Sequence, residues 1–385
     1  MDSLRITGGR VLLPNDGEQV IDVSLEDGRI AAIGRNGRGT RFDARGLMVL
    51  PGIVDLHGDA FERQLQPRPG VGFSAEIALQ DTEAQLLANG ITTAFHGVTL
   101  SWEPGLRSLS AWRALLDALE ARCWTCDMRV HLRWEAYNLE ALDTALADIA
   151  AGRVHLLAFN DHTPPILKKI KDPVIGAKYS ERAGMKLQDF RALAEEVGAR
   201  EHAVPAALDR IGAAARSAGL PMASHDDETI AMRRAFRARG ARICEFPMAE
   251  QVGQEAREAG DWVVMGCPNV VRGGSHLGWA SAAHMVEKGV CRVLTSDYFY
   301  PAMLRAAMAL AGRGMLDLPH AWELISCNPA HAAGLVDRGA IEEGKRADLV
   351  LVDPERPRVV ATIVGGRVGY LTAEGAARLS LATQG

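Results

Sequence analysis

Residues 50–59 read LPGIVDLHGD, an apolar run that ends in alternating polar side chains. Side chains two positions apart on an extended segment point to the same side of the strand. His57 and Asp59 can therefore hold one cation together, and Gly58 between them lets the backbone come close. Imidazole and carboxylate groups suit zinc and related divalent ions. This stretch predicts a strand that ends at a metal site.

The same pattern recurs through the middle of the chain, where apolar runs alternate with helical patterns. Such alternation is typical of a parallel α/β architecture, and eight strands in about 250 residues match a (β/α)8 barrel, or TIM barrel. A doubly wound open sheet is the competing architecture, but no GxGxxG or Walker loop follows an early strand. The predicted barrel strands are residues 47–57, 91–98, 129–135, 154–161, 221–226, 242–247, 262–269 and 291–297.

Polar residues concentrate at the ends of these predicted strands. A TIM barrel carries its chemistry at the carboxyl ends of its strands, so side chains from distant parts of the chain would meet at one rim. A single histidine at a strand end is more often a structural hydrogen-bonding residue. The prediction therefore depends on the recurrence of such residues at many strands. The predicted metal ligands are His57, Asp59, Glu135, His162, His225 and Asp297.

Two stretches near the predicted rim suit an anionic ligand. After the seventh predicted strand, Arg272 precedes Gly273, Gly274 and Ser275. Adjacent glycines free backbone N–H groups to surround an anion, and the guanidinium adds further donors. Arg68 stands between two prolines shortly after the first strand. The alternative interpretations are an ordinary glycine turn and a purely structural proline segment.

The two ends of the chain carry short strands and turns, unlike the barrel pattern of the middle. We therefore expect a small β-sandwich domain from residues 1–50 and 345–385, and a barrel domain from residues 51–344. One predicted connection, residues 163–186, is unusually long. It is interpreted either as a lid over the site or as a plain surface loop.

The composition argues against several classes of function. The net charge of -5, with no strongly basic region, argues against nucleic acid as a partner. No apolar stretch reaches the roughly 18 residues of a membrane span, and the first residues lack the features of a signal peptide. Six scattered cysteines indicate a reducing compartment. We expect a cytoplasmic protein with a small-molecule partner, and leave a homo-oligomer open.

Two motifs resemble the amidohydrolase superfamily. Residues 50–57, LPGIVDLH, are similar to its signature LPGxxDxH, and residues 339–350, GAIEEGKRADLV, are similar to the return of its chain into the β-sandwich domain. Asp59 departs from the common pattern, in which a second histidine stands. The His-x-Asp variant resembles the PhnM family, the α-D-ribose 1-methylphosphonate 5-triphosphate diphosphatases. Further similar stretches are residues 67–69, 90–93, 131–135, 161–162, 178–180, 223–227, 245–247, 268–276 and 296–298.

The resemblance implies a cofactor and its ligands. Two divalent ions would sit at the rim, with Zn²⁺ expected and Mn, Fe or Ni as alternatives. Asp297 would also act as the general base. The implied roles are His57 and Asp59 on one ion with Asp297 nearby, Glu135 as a bridge, and His162 and His225 on the second ion.

The resemblance also implies a small anionic phosphorylated substrate. This is a ribosyl 5-triphosphate with a phosphonate at C1, which is cleaved to the 5-phosphate and pyrophosphate. Arg68, Lys178 and Arg272 with its glycine loop are the expected partners of the charged ends. One alternative is an amidohydrolase that cleaves a C–N bond. Another is a non-catalytic scaffold of the same fold, which would have lost the metal ligands.

Overall fold

The computed structural model describes residues 3–380 except 15, 36, 38, 69 and 274–280. The strands within this part of the chain are β1 (Leu4–Thr7), β2 (Arg10–Leu13), β3 (Gly17–Val20), β4 (Val23–Glu26), β5 (Arg29–Ile33), β6 (Thr40–Asp43), β7 (Met48–Pro51), β8 (Ile53–Gly58), β9 (Ile91–Leu100), β10 (Asp127–Glu135), β11 (Leu156–Asn160), β12 (Met222–His225), β13 (Ile243–Glu245), β14 (Trp262–Gly266), β15 (Val293–Thr295), β16 (Leu349–Asp353), β17 (Arg358–Val364), β18 (Arg367–Leu371) and β19 (Leu379–Ser380).

The helices of the described residues are α1 (Glu62–Leu65), α2 (Ala75–Ala88), α3 (Leu109–Glu120), α4 (Leu142–Ala150), α5 (Thr163–Lys169), α6 (Pro173–Arg182), α7 (Leu187–Gly198), α8 (Val204–Ser217), α9 (Ile230–Ala238), α10 (Glu250–Glu258), α11 (Cys267–Arg272), α12 (Ala282–Glu287), α13 (Ala302–Gly312), α14 (Leu318–Glu323), α15 (Cys327–Ala332) and α16 (Ala373–Arg378). Among the residues described, no helix combines the length and the apolar character that crossing a bilayer requires.

Strands β8 to β15 form a sheet of eight parallel strands in sequential order. The sheet closes through a bridge between Gly58 and Asp297. The N–H of Asp297 donates to the His57 carbonyl at 3.0 Å, and the N–H of Asp59 donates to the Asp297 carbonyl at 2.9 Å. Helices connect the successive strands. The architecture is a (β/α)8 barrel, which confirms the fold predicted from the sequence.

Asp55 fixes this closure from within the protein. Its fully buried carboxylate accepts hydrogen bonds from the N–H of Ser296 at 2.9 Å and from the hydroxyls of Thr295 and Ser296, both at 2.5 Å. Burial raises the pKa of Asp55, and these hydrogen bonds oppose the rise. A carboxylate is stable in the interior only with such partners. Asp55 therefore holds the first barrel strand against the segment that leads into Asp297.

A layer of apolar side chains fills the barrel beneath the strand ends. Full burial of one Leu, Ile or Val side chain contributes roughly 1.5–3 kcal/mol. Because side chains alternate along a strand, polar residues two positions further on lie at the mouth of the barrel. Ala223 of this layer lies two positions before His225, and Ile243 lies two positions before Glu245. The layer consists of Leu56, Phe95, Leu156, Ala158, Ala223, Ile243, Val264 and Val293.

Strands from both ends of the chain form two further sheets. One has five strands in the order β19-β6-β1-β4-β5, and the other has six in the order β18-β17-β16-β7-β2-β3. Apolar side chains of both sheets share one core, which includes Ile6, Val49 and Leu351. The two sheets therefore pack against each other as one layered unit beside the barrel.

The first barrel strand begins later than predicted, because residues 48–51 belong to the six-stranded sheet. There, β7 pairs with β16 and with β2. Gly52 separates β7 from β8, and its N–H donates to the Asp348 carbonyl at 2.8 Å. A Cβ at Gly52 would lie 2.4 Å from Thr92 Oγ1, so the close passage between the two sheets requires glycine.

Two other sequence predictions were wrong in local structure. Residues 163–169 and 173–182, predicted as part of a long loop, form α5 and α6. Pro164 and Pro173 lie in the first turns of these helices, where a missing N–H is tolerated. The seventh strand, predicted to reach residue 269, ends at Gly266 because α11 begins at Cys267. Gly273 then ends this helix with a φ of 82°.

Candidate active site

Three residues that follow barrel strands have left-handed backbone conformations. Asp226, Phe246 and Asp297 have φ angles of 58°, 52° and 56°. The N–H of Asp226 donates to the Glu245 carbonyl at 3.0 Å, and the N–H of Phe246 donates to the Val264 carbonyl at 3.0 Å. Hydrogen bonds to the neighbouring strand thus hold conformations that cost roughly 1–2 kcal/mol each. Such strained positions cluster at functional sites.

A first group of possible metal ligands, His57, His131 and Glu245, lies deep in the barrel mouth. Glu245 Oε2 is 3.1 Å from His57 Nδ1 and 3.7 Å from His131 Nε2. Nδ1 of His131 faces the Leu56 carbonyl at 3.2 Å. Within the described part of the chain, His131 Nε2 and Glu245 Oε1 have no hydrogen-bond partner, although both are buried. Buried nitrogen and carboxylate atoms without partners fit a divalent cation.

A second group of possible ligands consists of His162, His225 and Asp226. Asp226 Oδ2 is 3.4 Å from His162 Nε2 and 3.6 Å from His225 Nε2. His225 connects the two groups, because its Nδ1 lies 3.3 Å from Glu245 Oε2. Imidazole and carboxylate donors again suit zinc or a related divalent ion.

Arg133 places a positive charge among these ligands. Its Nη2 donates to His225 Nε2 at 2.8 Å, and its Nη1 lies 3.6 Å from Asp59 Oδ2. The side chain is buried, so little water screens its charge. The guanidinium offsets part of the negative charge that the carboxylates concentrate at the mouth.

Asp59 and Asp297 lie where the barrel closes. Burial, together with the charge of Asp59, raises the pKa of Asp297 to about 7. Burial, together with the charge of Glu62, raises the pKa of Asp59 to about 6. A carboxyl group that titrates near neutral pH is suited to accept and release a proton.

Glu135 lies beside His162, but its oxygens bind the start of α5. Oε1 accepts from the Thr163 hydroxyl at 2.7 Å and from the Thr163 N–H at 3.2 Å, and Oε2 accepts from the His162 N–H at 3.2 Å. Oε2 is 3.9 Å from His162 Nδ1. Burial raises the pKa of Glu135 to about 7. Glu135 is outside both ligand groups, and its oxygens are already engaged by this helix.

Burial keeps three histidines of the two ligand groups, His57, His131 and His225, neutral. Burial, reinforced by Arg133, lowers the pKa of His57 and His225 well below the usual value, and burial lowers that of His131 to about 3. Neutral imidazoles offer a lone pair to a cation without first losing a proton. His96 lies outside both groups and packs edge-on against Phe61, with ring centres 5.2 Å apart.

Arg68 and Lys178, predicted separately as substrate-binding residues, line one cavity of about 320 Å³. The cavity adjoins the carboxylates, because Glu62 in its wall donates its N–H to the Asp59 carbonyl at 3.0 Å. Four of its charged side chains are basic and two are acidic, so the cavity favours an anion. The other charged lining residues are Glu62, Arg63, Glu181 and Arg182.

Arg272 lies outside this cavity wall, at the end of α11 beside Tyr298. It is the last residue of α11, and its Nη1 lies 3.4 Å from the Tyr298 hydroxyl. The Arg63 guanidinium lies 6.0 Å from the centre of the same ring, and Tyr298 directly follows Asp297. Arg272 is thus close to the candidate site. Of its predicted glycine loop, Gly273 caps the helix, and Gly274 and Ser275 lie outside the described residues.

The structure brings four residues to the site that the sequence analysis did not select. They are His131, Arg133, Asp226 and Glu245. All four lie within predicted strand segments. The criterion that selected the other ligands, a polar residue near the end of a predicted barrel strand, could therefore have found them too. Glu245 was missed because it stands alone at the end of its strand, with no polar residue two positions before or after it.

A barrel with imidazoles and carboxylates converging at its strand ends, beside a β-sheet unit built from both termini, defines a class of barrel hydrolases. The profile of the amidohydrolase family matches residues 48–369, which is most of the chain. The chain belongs to the amidohydrolase family.

Among curated proteins, the chain is similar to the alpha-D-ribose 1-methylphosphonate 5-triphosphate diphosphatase of Escherichia coli. The two are 32% identical over 321 residues, which cover 80% of this chain and 84% of the relative. An allantoinase of Bacillus licheniformis is 38% identical over 101 residues, which cover 26% of this chain and 21% of the relative.

Among solved structures, the fold is similar to that of an N-isopropylammelide isopropylaminohydrolase from Burkholderia multivorans. The TM-score is 0.64 at 20% identity, over 97% of this chain and 100% of the other. A beta-aspartyl dipeptidase from Fervidobacterium islandicum has a TM-score of 0.63 at 15% identity, over 96% and 98% of the two chains. At these identities the likeness concerns the fold alone.

Proposed function

We propose that the protein hydrolyses α-D-ribose 1-methylphosphonate 5-triphosphate to the 5-phosphate and pyrophosphate. The observation that carries the substrate class is the basic cavity in which Arg68 and Lys178 meet beside the site carboxylates. A neutral amide would gain little from such a cavity, whereas a polyphosphate can form charge-assisted hydrogen bonds with its basic side chains. The similarity to the E. coli diphosphatase, over 84% of its length, supports the particular substrate.

The proposal includes divalent ions, two Zn²⁺ with Mn, Fe or Ni as alternatives. Bound at the mouth, they would activate water and neutralise charge on the phosphoryl oxygens. We propose that His162, His225 and Asp226 hold one ion. His57 holds the other, and Asp59 and Asp297 remain the partners expected for it from the sequence. Asp226 extends the ligand set predicted from the sequence. A bridging role for Glu135 would require it to leave its hydrogen bonds with α5.

The side chains at the barrel mouth have different proposed roles in phosphoryl transfer. Asp297, with a pKa raised to about 7, accepts the proton of the attacking water. Arg133 supplies a buried positive charge for the phosphoryl oxygens. Arg68 and Lys178 bind the anionic chain and hold it in position, and Arg272 is a further partner at the rim.

Phosphorus NMR of the reaction with the ribosyl triphosphate tests this proposal. We expect pyrophosphate and the 5-phosphate in equal amounts, loss of activity after chelation, and recovery on addition of Zn²⁺. Hydrolysis of a cyclic amide or an N-acyl compound, without release of pyrophosphate, would instead support the alternative of a C–N hydrolase. Assays with dihydroorotate and allantoin therefore run in parallel.

A further inference from the structure

One carboxylate oxygen lies next to two histidine rings of the site. Glu245 Oε2 is 3.1 Å from His57 Nδ1 and 3.3 Å from His225 Nδ1. The two imidazole rings are stacked, with centres 5.1 Å apart and planes 14° apart. Glu245 is fully buried at the end of β13, so water does not compete for this oxygen. The two rings therefore share one hydrogen-bond acceptor.

The contact with Arg133 identifies which nitrogen of His225 carries the proton. Arg133 Nη2 lies 2.8 Å from His225 Nε2, and a guanidinium can only donate hydrogen bonds. Nε2 of His225 must therefore accept with its lone pair. In a neutral imidazole the proton is then on Nδ1, which donates to Glu245 Oε2. The lone pair of His225 faces the mouth of the barrel, where Asp226 also lies.

His57 has the same arrangement. Its Nδ1 faces Glu245 Oε2, which as a carboxylate oxygen accepts, so Nδ1 donates and Nε2 keeps the lone pair. Nε2 points into the space beside Gly97 and Arg133: a Cβ on Gly97 would lie 3.3 Å from this nitrogen and 3.3 Å from Arg133 Cδ. Both histidines thus direct Nε2 away from Glu245, to the side of the barrel mouth where Arg133 lies.

Phe246 holds the same two rings from another side. Its ring packs edge-on against His57 and His225, with centres 5.0 Å and 5.3 Å away. Phe246 directly follows Glu245, and its left-handed φ of 52° is part of the turn at this strand end. The end of β13 therefore supplies both the acceptor and the packing surface for two histidines of other strands.

We propose that Glu245 is a shared positioning residue that fixes His57 and His225 with Nδ1 protonated and the Nε2 lone pair turned away from Glu245, so that a cation bound by His225 would replace Arg133 at Nε2. Carboxylates that accept the second N–H of a ligand histidine are a common support of metal sites. This inference rests on the metal binding in the proposed function but not on the substrate. It differs from a role of Glu245 as a metal ligand, which its place in the first ligand group would also allow.

The test compares metal binding by the wild type and by Glu245→Gln, starting from protein depleted by a chelator. Competition with a chromogenic chelator gives the affinity for Zn²⁺ and Co²⁺. We expect Glu245→Gln to weaken both affinities about 10–100-fold, with the absorption bands of the saturated Co²⁺ form unchanged. Asp148→Asn, which removes another buried carboxylate that binds Trp112 and Arg153, is the matched control and should keep wild-type affinity.

Each other outcome has a defined meaning. Affinities of Glu245→Gln within twofold of the wild type would overturn the proposal, and altered Co²⁺ bands would make Glu245 a ligand instead. Should Glu245→Gln fail to fold, nitrogen-15 NMR of the metal-free wild type decides, because protons on Nε2 of His57 and His225 would contradict the assignment. A wild type that binds neither ion would refute the proposed metal site itself.

Discussion

The carboxylate of Asp297 lies against the backbone of Gly266. A Cβ built on Gly266 would come 3.1 Å from Asp297 Oδ2, which is closer than an ordinary van der Waals contact. Gly266 has φ −79° and ψ 130°, a conformation that alanine adopts readily. An alanine at this position would therefore displace the carboxylate and leave the backbone in place. Gly266 thus sets the position of the proposed general base.

We expect Gly266→Ala to lower kcat about 10–100-fold, because small displacements of a reacting group have large effects on rate. Steady-state kinetics with the ribosyl triphosphate measures this. Gly312→Ala is the matched control, since a Cβ there meets nothing within 4 Å, and it should retain wild-type kcat. Equal rates for the two variants would mean that the position of Asp297 does not limit turnover.

Replacing the carboxylate itself should have a larger effect. We expect Asp297→Asn to keep the fold but to lower kcat by about two to four orders of magnitude, the usual contribution of a general base. Circular dichroism and metal analysis accompany the kinetics. Near-normal turnover at full metal content would reject the proposed role.

The basic cavity should determine affinity for the phosphorylated substrate. Arg68→Ala and Lys178→Ala each remove one cation from its wall. Loss of a hydrogen bond to a charged group costs about 1.5–3 kcal/mol, so KM should rise about 10–100-fold in each variant. Lys171→Ala, an exposed basic residue outside the cavity wall, is the control and should leave KM unchanged. A similar rise for all three would indicate a general effect of charge.

Metal affinity should depend on pH through the buried carboxyls. Burial raises the pKa of the proposed ligands Asp297 and Asp59 to about 7 and about 6, so protons compete with a cation below pH 7. The site histidines His57 and His225, with lowered pKa, are already neutral and release none. Affinity should therefore fall as the pH falls through 7. Calorimetry in buffers of different ionisation enthalpy should detect more protons released at about pH 6 than at about pH 8.

The periodic parts of this fold could be predicted from the sequence, because each barrel strand buries an apolar run and several of these strands end in polar residues. The boundary between β7 and β8 could not be predicted, because both strands are rich in apolar residues and only one residue, Gly52, separates them. The helices α5 and α6 were missed because residues 163–186 were interpreted as one long connection, although the prolines of this segment occupy first helical turns.

The structure brings together predicted ligands from strand ends that several polar residues mark. His57, His162 and His225 lie in the ligand groups of the structure. The contacts of Arg133 and Glu245 depend on which strands are neighbours and on how far each side chain reaches inwards. Barrel closure and side-chain packing determine these contacts, so they cannot be predicted from the pattern of a single sequence.

The passage at Gly52 has a consequence for the architecture of the whole chain. Strand β8, which carries His57, follows β7 after one residue. Strand β7 pairs with β2 from the N-terminal end of the chain and with β16 from the C-terminal end. Removing either end would leave the first barrel strand without its anchor. The terminal sheets therefore support the first strand of the barrel. Deletion of either terminal segment should displace the side chains at the barrel mouth, although they lie some distance from the deletion.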